Sequence, residues 1–261
     1  MPLTDFQAEV ARTLAEQRSE DSYLAGGAAL HLEPNTRRYS NDLDYFHDSV
    51  ERVAEAFVAD RAALAEAGFE VDMQVQQPGF LRALVRKGSD GCLVEWVHDT
   101  AWRFLPPVAD ERVGYRLHPV DLAVNKVLAL VGRNEPRDFL DVLQVHGDVL
   151  PLGALCWAAA GKDPGYTPLS LHDMLSRRGS YRPEDFERLH LRERVDLVDL
   201  KTRWREALDD AAAFIRTRPP EELGCLYWSA REQTFVAPAP GDDEAVPHYG
   251  RPGGVLPRVM V

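Results

Sequence analysis

Cysteine is scarce in this chain of 261 residues: Cys92, Cys156 and Cys225 are all there are, far apart and odd in number. That excludes a disulfide framework and the paired spacing of a zinc site, and leaves buried free thiols as the expectation. Long apolar runs are missing too. No stretch approaches the roughly 20 apolar residues that a spanning helix needs. The opening residues, MPLTDFQAEVARTLAEQ, mix acids with apolar positions at helical spacing. They lack the basic start and apolar middle of a signal peptide. The expectation is a cytoplasmic protein with no membrane partner. Basic charge is also in deficit, with 30 Lys+Arg against 42 Asp+Glu and a formal net charge of -12. This argues against a polyanion partner, but distribution matters more than the sum. Residues 206–249 hold nine acidic and three basic residues, whereas 170–205 hold nine basic and seven acidic. Half of the net charge is thus a property of the C-terminal part.

What is present is ordinary globular composition, 45% hydrophobic and 28% charged. The length suits one large domain or two modest ones. Residues 4–20 read as an amphipathic helix. Tyr23-Leu24-Ala25 leads into Gly26-Gly27, and a short helix runs from Ala28. Residues 42–46 read as a strand, and 49–67 as an Ala-rich helix stopped by Gly68. FEVDMQV alternates between faces, and FLRALVRK and CLVEWV read as two more strands around the turn signal GSDG. Pro106-Pro107 breaks the pattern, which places a domain boundary there. The chain divides into 1–106 and a mainly helical 107–261. Its Pro- and Gly-rich end, from about residue 235, reads as loop or loosely packed tail.

The stretch RRYSNDLDYF carries the chemistry. Asp42 and Asp44 share one face of a strand, with Leu43 pointing the other way. Two carboxylates this close repel, and a hard divalent cation such as Mg²⁺, which takes oxygen ligands and substrate phosphates, resolves the conflict. A solvent-facing strand end would show the same pair, so the neighbours decide. Upstream, LAGGAALHL sets paired glycines before a helix, where backbone N–H groups can approach an anion. The basic pair Arg37-Arg38 and Ser40 come between. Glu95, in CLVEWVHDT, is either a third acid near the metal or a wet strand end. Asp99 lies past that strand in a turn and is the poorer candidate.

Two later segments add polar groups to apolar elements. In PVDLAVNKVLALVG only Asn125 and Lys126 are polar between Leu122 and Val131. A helix so apolar is buried, so Lys126 either snorkels to solvent or points into a polar site. In GRNEPRDFLDVL, Pro136 starts a helix on which Asp138 and Asp141 share a face. Asp138 could equally be a first-turn acid that satisfies the helix dipole.

Taken in order, LAGGAALHL with RRYSNDLDYF, then DLAVNKVLAL, then GRNEPRDFLDVL resemble the four motifs of the AbiEii/AbiGii nucleotidyltransferase-like toxins, which include the mycobacterial MenT toxins. The resemblance covers residues 24–143. It implies an α/β fold: a polymerase-β-like nucleotidyltransferase core followed by a helical C-terminal lobe. It implies Mg²⁺-dependent transfer from a nucleoside triphosphate, with two ions possible, onto an RNA acceptor such as the tRNA 3′ end. It also implies an antitoxin partner. By position, Gly26, Gly27, Arg38, Ser40 and Lys126 would bind the nucleotide. Asp42, Asp44, Lys126 and Asp138 would be catalytic. Asp42, Asp44 and Glu95 would hold metal. Two departures stand out: Ala28 occupies a position where many relatives carry Ser or Thr, and the candidate third acid is Glu95 and not Asp.

Three function classes follow. The first is a toxin-type nucleotidyltransferase acting on RNA. The second uses the same chemistry on a small molecule such as an aminoglycoside, or on a protein hydroxyl, as in AMPylation. The third is a non-catalytic descendant, against which the intact acids and Lys126 argue. Arg177, Arg178, Arg182, Arg188, Arg192 and Arg194 are candidates to steer a polyanion, or form a solvated helix face.

Overall fold

DLDYFH forms strand β2 (Asp42–His47), the middle strand of a seven-stranded mixed sheet. The computed structural model that shows this describes residues 3–32, 36, 38–242 and 244–257. β2 alternates: Leu43, Tyr45 and His47 are buried, while Asp42, Asp44 and Phe46 on the other face are half-buried. On one side β2 runs parallel to β5 (Asp90–His98), on the other antiparallel to β1 (Ser22–Ala25). β3 (Glu70–Gln77) and β4 (Phe80–Lys87) extend the sheet beyond β5. Gly88, at φ +64, makes the turn between β4 and β5 that GSDG announces.

Helices cover the face that carries Tyr45. α1 (Asp5–Leu14) starts with a capping box between Thr4 and Gln7. The short helix α2 (Gly26–Leu30) follows β1 directly, two residues earlier than the sequence suggests. α3 (Val50–Glu66) is capped by Ser49 and stops before Gly68, whose φ of +80 only glycine adopts freely. Asp60 of α3 forms an ion pair with Arg18, both side chains fully buried, and accepts a 2.6 Å hydrogen bond from Trp96 Nε1 of β5. The Arg18 guanidinium also lies 4.5 Å from the centre of the Tyr45 ring. The strands bearing the acids are thereby clamped from behind.

Past Pro107 the sheet continues. After β6 (Trp102–Arg103) come β7 (Val108–Asp110) and β8 (Gly114–Arg116), which pairs in parallel with β1. The first compact unit accordingly runs to His118 and takes in His190–Glu193 and Pro252–Gly254. The boundary between the units falls after His118 and not at Pro106-Pro107, since β8 pairs with β1 and β7 with β8.

The second unit holds Pro119–Leu189 and Arg194–Arg251. Its helices are α4 (Pro119–Gly132), α5 (Pro136–Asp148), α6 (Leu152–Lys162), α7 (Pro168–Ser176), α8 (Pro183–Glu187) and α9 (Leu197–Thr217). α6 and α9 approach closely: a side chain at Gly153 would stand 2.8 Å from Phe214 Cβ and 3.0 Å from Ala211 Cα. Part of the Pro- and Gly-rich end is not loop. β9 (Leu226–Ser229) pairs with both β10 (Thr234–Val236) and β11 (Ala245–His248) in a small antiparallel sheet. Strands of three or four residues are too short to show a period. The three cysteines are free and buried, with burial pushing each thiol up to about 12. Among the described residues no single helix is long and apolar enough to cross a membrane.

Candidate functional site

The first unit holds seven of the predicted residues: Asp42, Asp44 and Glu95 on two adjoining strands, Gly26 and Gly27 at the start of α2, and Arg38 and Ser40 in the segment leading into β2. In the register of β2 and β5, Asp42 stands opposite Leu93 and Asp44 opposite Glu95. One carboxylate oxygen each from Asp42, Asp44 and Glu95 lie within 4.8 Å of one another, and all three residues are half-buried. Asp99 is outside this group: its backbone N–H donates to His47 O just beyond the end of β5.

Gly26 supplies the room. It follows Ala25, the antiparallel partner of Asp44, and turns at φ +61. A Cβ at this position would overlap the Asp44 carboxylate. Gly27 is nearly as confined, since its Cβ would lie 2.8 Å from Ser40 Oγ and 3.1 Å from an Arg38 guanidinium nitrogen. The Gly-Gly turn is thus packed between Asp44 on one side and Ser40 and Arg38 on the other. Ala28 is fully buried.

The segment leading into β2 is pinned by its own polar contacts. Ser40 Oγ donates to Asp42 Oδ1 at 2.9 Å, and Gln7 Nε2 of α1 donates to Ser40 O at 2.9 Å. Arg38 is buried, donates to Tyr39 O at 3.2 Å and forms a bridge to Leu191. Tyr39 N–H donates to His190 O, and the Arg192 guanidinium lies 5.5 Å from the Tyr39 ring centre. Residues His190–Glu193, far away in sequence, therefore belong to the first unit. Arg37 lies outside the described residues.

Glu95 has a counter-ion that sequence reasoning missed. Arg82 of β4, its antiparallel partner, places Nε 2.7 Å and Nη2 2.5 Å from Glu95 Oε1. The signal was available: Arg82 and Glu95 sit on the same face of neighbouring strands joined by a tight turn.

The second unit holds a separate polar cluster. Lys126 does not snorkel: its side chain is 6% exposed. Its ammonium lies 2.8 Å from Asp141 Oδ2 and 3.5 Å from Asp138 Oδ1. Asp138, fully buried, also accepts from Arg133 Nε at 2.8 Å and Nη2 at 3.2 Å. Two cations and two carboxylates so arranged satisfy one another, which a buried charge requires. Asp141 and Arg133 were not predicted as site residues. The i,i+3 spacing of Asp138 and Asp141 was the clue to the first, and nothing in the sequence singled out the second.

Of the six arginines between 177 and 194, Arg177, Arg178 and Arg192 have side-chain contacts that the structure shows. Arg177 pairs with Asp173 at 2.6 Å on an exposed helix turn. Arg178 Nη2 donates to Val131 O at 2.5 Å, satisfying a carbonyl near the end of α4. Arg192 belongs to the first unit.

The family model for the nucleotidyl transferase AbiEii toxin of type IV toxin–antitoxin systems matches residues 11–223. The chain belongs to the AbiEii nucleotidyltransferase toxin family. As a member it is a nucleotidyltransferase, and its mixed α/β architecture is one that solved members of that class share. MenT4, a nucleotidyltransferase toxin from Mycobacterium tuberculosis, is similar at TM-score 0.59 and 17% identity, over 83% of each chain. JHP933 from Helicobacter pylori is similar at TM-score 0.52 and 15% identity, over 82% of this chain and 95% of that one. At such identities the likeness is one of fold. No curated protein matches the chain.

Proposed function

We propose that this AbiEii-family enzyme transfers nucleotides from a nucleoside triphosphate onto an RNA 3′ end, such as that of tRNA, and that a cognate antitoxin restrains it. The observation that carries the reading is the meeting of Asp42, Asp44 and Glu95 within 4.8 Å beside the space that Gly26 leaves. The donor set suits a hard divalent cation: three carboxylates, all oxygen, on a half-buried face. Asp42, Asp44 and Glu95 would hold Mg²⁺. When bound, such an ion neutralises phosphate charge and favours in-line displacement of pyrophosphate.

The chain's own residues do the positioning. Ser40 fixes the orientation of Asp42 through its hydroxyl. Arg38, Ser40, Gly26 and Gly27 are assigned, by family position, to the triphosphate, and Ser40 Oγ lies beside the Gly-Gly turn. Lys126 and Asp138 are assigned, by family position, to the phosphates and to the fourth-motif acid. Paired with Asp138 and Asp141, Lys126 would present a held N–H donor more than a free net charge. Residues 1–118 form the nucleotidyltransferase core in this reading, and the helical unit supplies Lys126 and Asp138.

An RNA end is the acceptor favoured, because a single-stranded terminus brings its hydroxyl into a cleft without melting a duplex. An aminoglycoside-like molecule or a protein hydroxyl is the alternative, which the net charge of -12 favours. The test is incubation with each α-labelled nucleoside triphosphate, Mg²⁺ and total RNA, with protein and aminoglycoside acceptors in parallel. Label on RNA alone supports the proposal; label only on a protein or an aminoglycoside moves the assignment to the alternative.

A further inference from the structure

We propose that Arg82 is an internal competitor for the metal site: its guanidinium occupies Glu95, so the nucleotide-free protein binds a divalent cation weakly. The inference rests on the metal-site reading above and adds a control on that site.

Three features of Arg82 carry it. The first is place. β4 and β5 pair with Arg82 directly opposite Glu95, and Glu95 in turn stands opposite Asp44. Arg82, Glu95 and Asp44 therefore form a row across three adjacent strands, on the face that bears the carboxylates. The second is engagement. Both Nε and Nη2 approach the same atom, Glu95 Oε1, at 2.7 and 2.5 Å. The third is freedom. The Glu95 side chain is 13% exposed but that of Arg82 is 39% exposed, so the guanidinium can leave without opening the core. In this position Arg82 Cζ also lies 5.5 Å from the centre of the Phe80 ring.

The physical consequence is competition. A cation entering among Asp42, Asp44 and Glu95 meets a positive charge already on one of its ligands. Either Arg82 stays, and repels the newcomer, or it withdraws, and its ion pair is lost. Each route lowers affinity for a bare cation. A triphosphate brings opposing charge with it and offers Arg82 new partners, so the obstacle falls away when nucleotide and metal arrive together. Glu at position 95 also fits this role. Its extra methylene lets one carboxylate serve a cluster on β2 and a guanidinium on β4.

The test measures Mn²⁺ binding to the full chain without nucleotide, by electron paramagnetic resonance of the free ion, titrated into the millimolar range. Arg82→Gln should bind Mn²⁺ about 2- to 5-fold more tightly, as a half-exposed pair allows. Loss of a merely structural arginine would weaken binding, so the sign is diagnostic. Arg82→Lys, which keeps the charge, should stay near the parent. Adding Glu95→Gln to Arg82→Gln should abolish the gain. Unchanged or weaker binding in Arg82→Gln, or an equal gain in Arg82→Lys, overturns the inference. Circular dichroism checks that each variant is folded, and Arg82→Met, which also removes the charge and should show the same gain, carries the test if the glutamine variant is not. If Asp42→Asn and Asp44→Asn lower Mn²⁺ binding while Arg82→Gln does not change it, only this inference fails. If neither aspartate substitution lowers it, the metal-site reading fails too.

Discussion

Asp44 of β2 stands in register with Glu95 of the parallel strand β5, and the two carboxylates share a face with Asp42. Like charges placed so repel one another, and a hard divalent cation among them offsets the repulsion. Asp42→Asn and Asp44→Asn should each lower nucleotidyl transfer by about 100-fold or more, in the range of losing an electrostatic catalytic group. Transfer within a few-fold of the parent in either variant would contradict the assignment.

Gly26 and Gly68 provide a matched pair. Both have positive φ, +61 and +80, so alanine at either costs about 1–2 kcal/mol of backbone strain. Only at Gly26 would the methyl also overlap the Asp44 carboxylate; at Gly68 the nearest atom is Lys87 Cε at 4.0 Å. Both variants should melt several degrees lower. Transfer should collapse in Gly26→Ala and persist in Gly68→Ala. Equal activity in the two would show that the close approach at Asp44 is not needed.

Much of this was legible because it lies in periods and punctuation. Period-two alternation in DLDYFH put both aspartates on one face, and the glycines at 26, 68 and 88 marked turns that the structure makes. What was not legible depends on pairing between strands and on charge partners. The register that sets Glu95 beside Asp44 follows from a parallel pairing that no local pattern encodes, whereas Arg82 beside Glu95 follows from the antiparallel β4–β5 hairpin, whose turn is local. Pro106-Pro107 suggested a boundary because prolines interrupt strands, yet β7 and β8 rejoin the sheet through a pairing with β1. Arg178 looked like part of a basic patch, and only a three-dimensional neighbour, Val131 O, reveals its role.

Lys126 can be tested by stability alone. Its ammonium is buried between Asp138 and Asp141. Lys126→Met removes one charge of the cluster and leaves the carboxylates under-compensated, which should cost about 3–5 kcal/mol in urea unfolding. Adding Asp141→Asn should recover part of the loss. A near-neutral Lys126→Met would mean that the ammonium reaches solvent.

Acid should weaken the fold before the carboxylates titrate. Burial, aided by the charges of Arg18 and Arg52, depresses the His47 imidazole to about 3. The unfolded chain therefore takes up a proton near pH 6.5 that the folded chain refuses. Stability is highest above pH 6.5 and declines as pH falls toward 3. His47→Leu should show a shallower fall in melting temperature between pH 7 and 5 than the parent. An identical slope in both would contradict burial of a neutral imidazole.

The central claim is transfer to an RNA 3′ hydroxyl, and oxidation of that end addresses it most directly. Purified tRNA is split into two portions, one treated with periodate to destroy its terminal diol. Each is incubated with the enzyme, Mg²⁺ and each α-labelled nucleoside triphosphate in turn, alongside the Asp44→Asn variant. The account predicts label on the untreated tRNA with at least one nucleotide, none on the oxidised tRNA, and none with Asp44→Asn. Equal labelling of the oxidised tRNA, or no labelling of tRNA while a protein or an aminoglycoside is labelled, would contradict it.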